Sequence, residues 1–371
     1  MENIERFRVD VSQAELDELQ GRLRRTRWAG RLPGQDWQRG VPVEYLRELV
    51  DYWQDGYDWR AQEARLNAFP QFTTVIDGQR IHFIHVRSAK ADAVPLIMTH
   101  SWPNTVAEFM DVINPLVEAG FDVVAPSLPG FGFSPFPEPA DERPWSIVRV
   151  AHTWAVLMER LGYERYGAHG NDAGALVTPQ LAALYPDRVI GSHITAGLGV
   201  PTGVPGELDG ASEEELAGLA KLGALFAGGS GYGTYLANRV QTLAYGFVDS
   251  PVAQLAYLVE RFQEFDGWAG VETVGRDQLL TNASIYWLTG TGGSSSWTYY
   301  EGAAGMPIDQ KAVPTGVSHG GYPIMRSIAE RGNDIVHWAG YHASSHMVAM
   351  VDPAGLVDSI TTFFAVGSKP A

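Results

Sequence analysis

The chain contains no cysteine, and this absence excludes three kinds of chemistry. Without thiols there is no disulfide framework, no thiolate zinc site and no cysteine nucleophile. Basic residues are also scarce, because 27 Lys and Arg stand against 43 Asp and Glu and give a formal net charge of −16 at pH 7. A chain this acidic lacks the positive surface that phosphate contacts need, so nucleic acid is not expected as a partner.

Long apolar runs are missing as well. No segment approaches the roughly 20 consecutive apolar residues of a membrane span, and the first residues lack the apolar stretch of a signal peptide. Together these absences predict a cytoplasmic protein with no membrane partner. The composition is otherwise ordinary, since 371 residues that are 45% apolar and 19% charged are enough for a large buried core.

Hydrophobic patterning predicts an α/β fold behind a helical arm. Residues 1–70 carry leucines and aromatic residues at helical spacing, which predicts an arm packed across the main domain. From about residue 70, short apolar runs alternate with helical stretches such as 147–161 and 173–185. Alternation of this kind predicts a mostly parallel sheet with helices on both faces. The predicted strands are 72–76, 80–86, 95–99, 121–126, 166–170, 189–194, 312–317 and 334–338.

One interval between strands is much longer than the others. About 120 residues separate the sixth predicted strand from the seventh, and a structureless loop of that length does not fit a compact domain. Helical signals and Gly-rich breaks fill the interval. We therefore predict a helical lid at 199–305, inserted into an α/β core made of 71–198 and 306–371.

The segment most informative about chemistry is residues 169–175 (HGNDAGA), which follows a predicted strand and opens a predicted helix. Gly170 and Gly174 flank Asp172 at a distance of two residues, as a sharp strand-to-helix turn with a nucleophile at its tip requires. Esterases carry serine at this position. A carboxylate there can instead attack carbon and form an ester. The alternative interpretation is a Gly-rich helix start with Asp172 as its N-cap.

Two further segments can complete such a site. Residues 100–103 (HSWP) follow an apolar strand, and the backbone N–H groups of Trp102 and Ala173 could together hold an oxyanion. His346 follows the last predicted strand, which is the place of the histidine in elbow hydrolases, and could activate water against the ester. His342 is its rival, and the two histidines could also be a metal pair, although no third ligand of matching spacing is evident.

With these motifs, the whole chain resembles an epoxide hydrolase of the microsomal type, an α/β-hydrolase with an N-terminal arm. The resemblance implies an enzyme that opens a small-molecule epoxide with water to a vicinal diol, through a covalent ester on Asp172 and without metal or other cofactor. It spans residues 7 to about 365. The stretches that carry it are 26–28 (TRW), 37–42 (WQRGVP), 52–53 (YW), 58–60 (DWR), 76–78 (IDG), 81–85 (IHFIH), 127–134 (SLPGFGFS), 241–245 (QTLAY) and 249–251 (DSP).

The resemblance also implies two lid tyrosines that donate hydrogen bonds to the epoxide oxygen as the ring opens. Matching outward from residues 241–243 places one at Tyr232, and matching along residues 289–301 places the other at Tyr299. A phenol with a pKa of about 10 can donate to an alkoxide and stay protonated at neutral pH. The neighbouring alternatives are Tyr235 and Tyr300.

Three positions depart from the pattern of the family. Ser101 stands where Gly is usual and Ala173 where Trp is usual, and both changes leave the backbone donors in place. The smaller Ala173 side chain predicts a wider pocket, suited to a bulky epoxide such as a polycyclic product of secondary metabolism. Met325 stands where the triad acid is expected, and its absence should weaken ester hydrolysis more than ester formation. Glu207 and Asp209 are alternative acids.

Two other functions fit parts of the sequence. A haloalkane dehalogenase shares the Asp nucleophile, but such enzymes bind halide with a Trp beside it, where this chain has Ala173. A repurposed, non-catalytic member of the fold would account for the missing triad acid. The aromatic residues of the arm and lid could also pair two copies of the chain in a homodimer.

Overall fold

The computed structural model describes most of the chain, in ranges separated by short gaps. These ranges are 4–34, 37–138, 143–195, 201, 205–213, 215–220, 223, 231–265, 271–301, 311, 313–319, 325–340 and 345–367.

A single sheet of nine strands is formed by the described residues. The strands are β1 (Glu5–Phe7), β2 (Gln71–Ile76), β3 (Gln79–Val86), β4 (Val94–Thr99), β5 (Phe121–Pro126), β6 (Tyr166–Asn171), β7 (Val189–Thr195), β8 (Pro314–His319) and β9 (Asp334–Gly340). Their order across the sheet is β1-β2-β3-β5-β4-β6-β7-β8-β9. Strands β4 to β9 are parallel, whereas β1, β2 and β3 pair antiparallel at one edge. This arrangement confirms the predicted mostly parallel sheet, and β1 is an addition that the sequence analysis missed.

Helices occupy the arm, the connections between strands and the segment that follows β7. They are α1 (Gln13–Arg24), α2 (Val43–Asp55), α3 (Trp59–Asn67), α4 (Ile113–Ala119), α5 (Ile147–Arg160), α6 (Ala173–Leu184), α7 (Gly231–Asp249), α8 (Pro251–Phe265), α9 (Arg276–Thr289), α10 (Trp297–Tyr300), α11 (Arg326–Gly332), α12 (Val348–Val351) and α13 (Pro353–Gly367). Among the helices in the described ranges, none combines the length and the apolar character needed to cross a bilayer.

Both faces of the sheet are buried, as alternation along the central strands shows. On β4, Ile97 joins a buried cluster that includes side chains of α5 and α6. Its neighbours Leu96 and Met98 join a second cluster, which includes side chains of α4 and α13 on the opposite face. Complete burial of each such side chain contributes about 1.5–3 kcal/mol to stability. The predicted α/β layer architecture is therefore confirmed.

The N-terminal helices contact the segment predicted to be a lid. Tyr52 on α2 donates from Oη to Asp277 Oδ1 on α9 at 2.8 Å. The next residue, Trp53, is buried and donates from Nε1 to Ser284 Oγ on the same helix at 3.2 Å. The arm thus packs against α9 as well as against the sheet. The predicted boundaries near residues 198 and 305 stay predictions, because 196–200 and 302–310 lie outside the described residues.

The turn between β6 and α6 brings backbone segments unusually close together. Asp172 occupies this turn with φ 52° and ψ −113°, a conformation that costs a residue with a side chain about 1–3 kcal/mol. A Cβ atom on Gly174 would lie 2.1 Å from the carbonyl oxygen of Thr99 on β4, and one on Gly170 would lie 2.1 Å from the carbonyl oxygen of Gly174. The turn therefore requires glycine on both sides of Asp172.

Gly174→Ala should destabilise the fold, because the added methyl group has no room beside Thr99. We expect the free energy of unfolding to fall by at least about 2 kcal/mol, measured by urea denaturation. Gly246→Ala on α7 is the matched control, since a Cβ there has no neighbour within 4 Å. In that helix, alanine should be neutral or stabilising by up to about 1 kcal/mol. Equal stability of the two variants would contradict this account of the turn.

Candidate active site

Three of the predicted site residues converge from separate parts of the sequence. The backbone N–H of Trp102, after β4, donates to Asp172 Oδ1 at 3.1 Å. His346, after β9, places its Nε2 atom 3.5 Å from Asp172 Oδ2. Strands β4 and β6 are parallel neighbours, so the turns that follow them meet at the same edge of the sheet. The sequence-predicted elbow, turn and late histidine therefore share one location.

The carboxylate of Asp172 is not used as a helix cap. Asp172 stands in the N-cap position of α6, but its side chain makes no capping hydrogen bond and accepts from Trp102 instead. Ala173 is the first residue of α6, so its N–H belongs to the group that intrahelical carbonyls do not reach. The positive end of the helix dipole thus faces the carboxylate and favours negative charge there.

The two predicted tyrosines also lie beside this carboxylate. Tyr232 on α7 and Tyr299 on α10 have ring centroids 5.8 Å apart. The indole of Trp102 contacts both rings, at centroid distances of 6.4 Å and 5.1 Å respectively. Burial raises the pKa of both phenols and the negative charge of Asp172 raises it further, so both remain protonated at neutral pH. The alternatives, Tyr235 and Tyr300, are 41% and 40% exposed.

A buried arginine that the sequence analysis missed supports Tyr232 from the lid. The guanidinium carbon of Arg261, on α8, lies 4.3 Å from the centroid of the Tyr232 ring. Its positive charge opposes the effect of burial by lowering the pKa of that phenol. Arg261 pairs with Glu264 at 2.8 Å, and burial raises the pKa of this carboxyl to about 7. A single cation inside an otherwise apolar helical run was the available signal.

The histidine predictions can be placed only in part. The ring of His346 packs against Phe265 at a centroid distance of 5.3 Å, and its side chain is 5% exposed. His342, its predicted rival, lies outside the described residues, so the metal-pair interpretation stays a prediction.

The alternative triad acids lie near the lid-side end of the sheet. The backbone carbonyl of Glu207 accepts from Arg331 Nη2 at 2.6 Å, and the N–H of Asp209 donates to the carbonyl of Gly206. Met325 is buried directly before α11. A triad role for Glu207 or Asp209 therefore stays a prediction.

A second carboxylate lies behind the elbow and was also missed. Glu108 belongs to a short 3₁₀ turn, Val106–Phe109, and is 1% exposed. It accepts hydrogen bonds from Ser101, in the predicted oxyanion turn, and from Asn171, which precedes Asp172. The signal for it was one acidic residue in the apolar run that follows residues 100–103.

Comparison with known proteins agrees with this geometry. Two family models match the chain, "Epoxide hydrolase N terminus" over residues 4–109 and "alpha/beta hydrolase fold" over residues 94–211. A candidate epoxide hydrolase from Stigmatella aurantiaca is 38% identical, over 94% of this chain and 82% of its own length. Epoxide hydrolase 1 from Sus scrofa is 30% identical, over 98% of this chain and 89% of its own.

A solved structure extends the likeness to three dimensions. The crystal structure of juvenile hormone epoxide hydrolase from Bombyx mori matches with a TM-score of 0.89 at 26% identity, over 99% of this chain and 95% of that one. The identities, the coverage of both chains and the shared N-terminal segment all lead to one assignment. The chain belongs to the microsomal-type epoxide hydrolase family, whose members are hydrolases that act on ether bonds.

Proposed function

We propose that this protein opens small-molecule epoxides with water to vicinal diols, through a covalent ester on Asp172. The observation that carries the proposal is the surroundings of one carboxylate. Asp172 has a backbone donor on one oxygen, an imidazole at 3.5 Å from the other, and two buried phenols beside it. Membership of the epoxide hydrolase family supports the reaction type.

In the first step, a carboxylate oxygen of Asp172 attacks one epoxide carbon. The bond between that carbon and the epoxide oxygen breaks, and its electron pair goes to the oxygen. Tyr232 and Tyr299 donate hydrogen bonds to this oxygen, and one phenol supplies the proton. Since burial raises the pKa of both phenols, each keeps its proton until the alkoxide, a much stronger base, develops.

In the second step, water hydrolyses the ester. His346 Nε2 accepts a proton from the water, whose oxygen attacks the carboxyl carbon of Asp172. The negative charge then develops on the carbonyl oxygen of the ester. The N–H of Trp102, which is already 3.1 Å from Oδ1, and the N–H of Ala173 can hold that charge. Collapse of the intermediate breaks the ester bond and releases the diol with a proton returned from the imidazolium.

Asp172→Asn should abolish ester formation, because an amide is too weak a nucleophile to open the ring. We expect turnover to fall by about 10³-fold or more, measured as diol release. Asp77→Asn is the matched control, because Asp77 also has a positive φ, of 51°, but lies in the turn between β2 and β3. Its turnover should be unchanged.

The same proposal is tested by oxygen labelling in the unmodified enzyme. During a single turnover in ¹⁸O-water with enzyme in excess, the label should enter the carboxylate of Asp172. The first diol released should carry an unlabelled oxygen from the enzyme. Label found in the diol and not on Asp172 would reject the covalent route.

Replacing either lid phenol should slow ring opening and leave ester hydrolysis nearly unchanged. Removal of one donor to a developing oxyanion costs on the order of 10²-fold in rate, so we expect that loss for Tyr232→Phe and for Tyr299→Phe in stopped-flow measurements of ester formation. The double variant should lose more than either single one. Tyr300→Phe, on the exposed neighbour of Tyr299, is the control and should behave as the wild type. A normal rate in the double variant would exclude phenol assistance.

We also propose that the preferred substrate is bulky, such as a polycyclic product of secondary metabolism. Ala173 follows the nucleophile directly, where relatives of the resemblance described above carry the much larger Trp. We expect kcat/KM to be higher for a polycyclic epoxide than for styrene oxide. Ala173→Val should lower the value for the polycyclic epoxide more than for styrene oxide. A clear preference of the wild type for styrene oxide would contradict the proposal.

A further inference from the structure

Glu108 is a buried carboxylate for which the proposed reaction gives no role. Its Oε2 atom accepts from the N–H of Ser101 at 2.7 Å and from Ser101 Oγ at 2.8 Å. Its Oε1 atom accepts from Asn171 Nδ2 at 3.2 Å. Burying an ionisable group without a partner is costly, and here three donors from the two turns of the site converge on it.

The same network reaches the histidine. Asn171 Nδ2 donates both to Glu108 Oε1 and to the backbone carbonyl of His346, at 2.9 Å. One amide therefore connects the carboxylate, the residue before Asp172 and the segment that carries the imidazole. A change at Glu108 must act on His346 through this bridge and through space.

The hydrogen-bond directions favour the ionised form of Glu108. Asn104 Nδ2 donates to Ser101 Oγ at 2.8 Å, which leaves the hydroxyl hydrogen of Ser101 directed at Glu108. Burial raises the pKa of Glu108, whereas the donors from Ser101 and Asn171 and the nearby charge of His346 lower it. The attraction is mutual, so a negative Glu108 favours the protonated form of the imidazole.

This charge stands in for one that the chain lacks elsewhere. Residues 310–329, where the family places the triad acid, contain no Asp or Glu, and Met325 at the expected position is buried and apolar. An imidazole that takes a proton from water inside a buried site needs a compensating negative charge. Asp172 cannot supply it during the second step, because its charge is then lost in the ester.

We propose that Glu108 is ionised and supplies the negative charge that stabilises the imidazolium of His346 during ester hydrolysis. It is a positioning residue, since it acts through Asn171 and through its electric field and does not touch the reacting atoms. The hydroxyl of Ser101, at a position where the resemblance implies Gly, gives the carboxylate an additional donor. This inference rests on the proposed function for its kinetic effect but not for its effect on the imidazole itself.

The groups that face this pair are few in the described part of the chain. His346 faces Asp172 from the elbow, Glu108 from the 3₁₀ turn and the ring of Phe265 from α8. Glu108 also faces the phenol of Tyr286 on α9, whose pKa burial holds far above neutral. Between pH 5 and pH 9, only the two carboxylates and the imidazole can therefore change the charge in this region.

The test is an NMR titration of His346 in the full chain with labelled histidine, the signal being assigned by its loss in His346→Gln. Glu108→Gln should lower the pKa of His346 by one unit or more, because the neutral amide no longer favours the imidazolium. Ser101→Ala, which removes one donor and keeps the carboxylate, should leave that pKa within about 0.3 unit of the wild type. An unchanged pKa in Glu108→Gln would overturn the proposal.

Single-turnover kinetics gives the second readout. Glu108→Gln should slow ester hydrolysis at least tenfold at pH 7 and change ester formation less than threefold, with the pH limb of hydrolysis displaced to lower pH. A purely structural role would lower both rates without displacing the limb. If no ester forms even in the wild type, the proposed function fails, while the titration still decides the role of Glu108.

One further measurement guards against a Glu108→Gln variant that does not fold, which its thermal unfolding would reveal. In the wild type, the ¹³C shift of the Glu108 carboxyl reports its protonation directly. We expect the ionised form at pH 7. A protonated Glu108 at that pH would overturn the proposal with no variant required.

Discussion

The close approach of α6 to β4 at the elbow is the constraint on which the rest of the site depends. With only a hydrogen atom on Gly174, the helix can begin against the carbonyl of Thr99, and the preceding residue is forced into a positive φ. That conformation turns the Asp172 side chain away from its own helix and toward Trp102. The energy needed to hold this strained residue comes from the buried layers around it, since a single residue in such a turn could not hold itself.

The charges around the elbow form a balanced set. Asp172 and Glu108 bring two carboxylates to the edge of the sheet, and His346 lies close to both. On the lid side, Arg261 places a positive charge against the face of Tyr232. Negative charge thus accumulates on the side where an imidazolium forms, and positive charge lies on the side where an alkoxide forms. This division matches the two steps of the proposed reaction.

Sequence alone predicted the layers of the fold and the meeting of Asp172, Trp102 and His346. Those predictions depend on local patterns, because buried parallel strands are short apolar runs and their carboxyl ends share one edge. Strand β1 was missed because three residues carry too little periodicity. Tyr232 and Tyr299 came from the family resemblance and not from any pattern in the residues.

The residues that sequence reasoning overlooked are those whose meaning lies in distant contacts. Glu108 in an apolar run resembles any solvated acid on a helix face until Asn171, 63 residues away, is placed against it. Arg261 is similar, since its significance lies in an aromatic ring on another helix. Neither contact follows from spacing or composition, because both are produced by tertiary packing.

The contacts between the arm and α9 also have a consequence for biosynthesis. Tyr52 and Trp53 are made early, but their hydrogen-bond partners are 225 and 231 residues further along the chain. Until those residues leave the ribosome, the indole of Trp53 has no surface to cover it. Contacts so distant in sequence slow folding and prolong the exposure of apolar surface. The arm that finally braces the enzyme is thus the part of the nascent chain that most needs a chaperone.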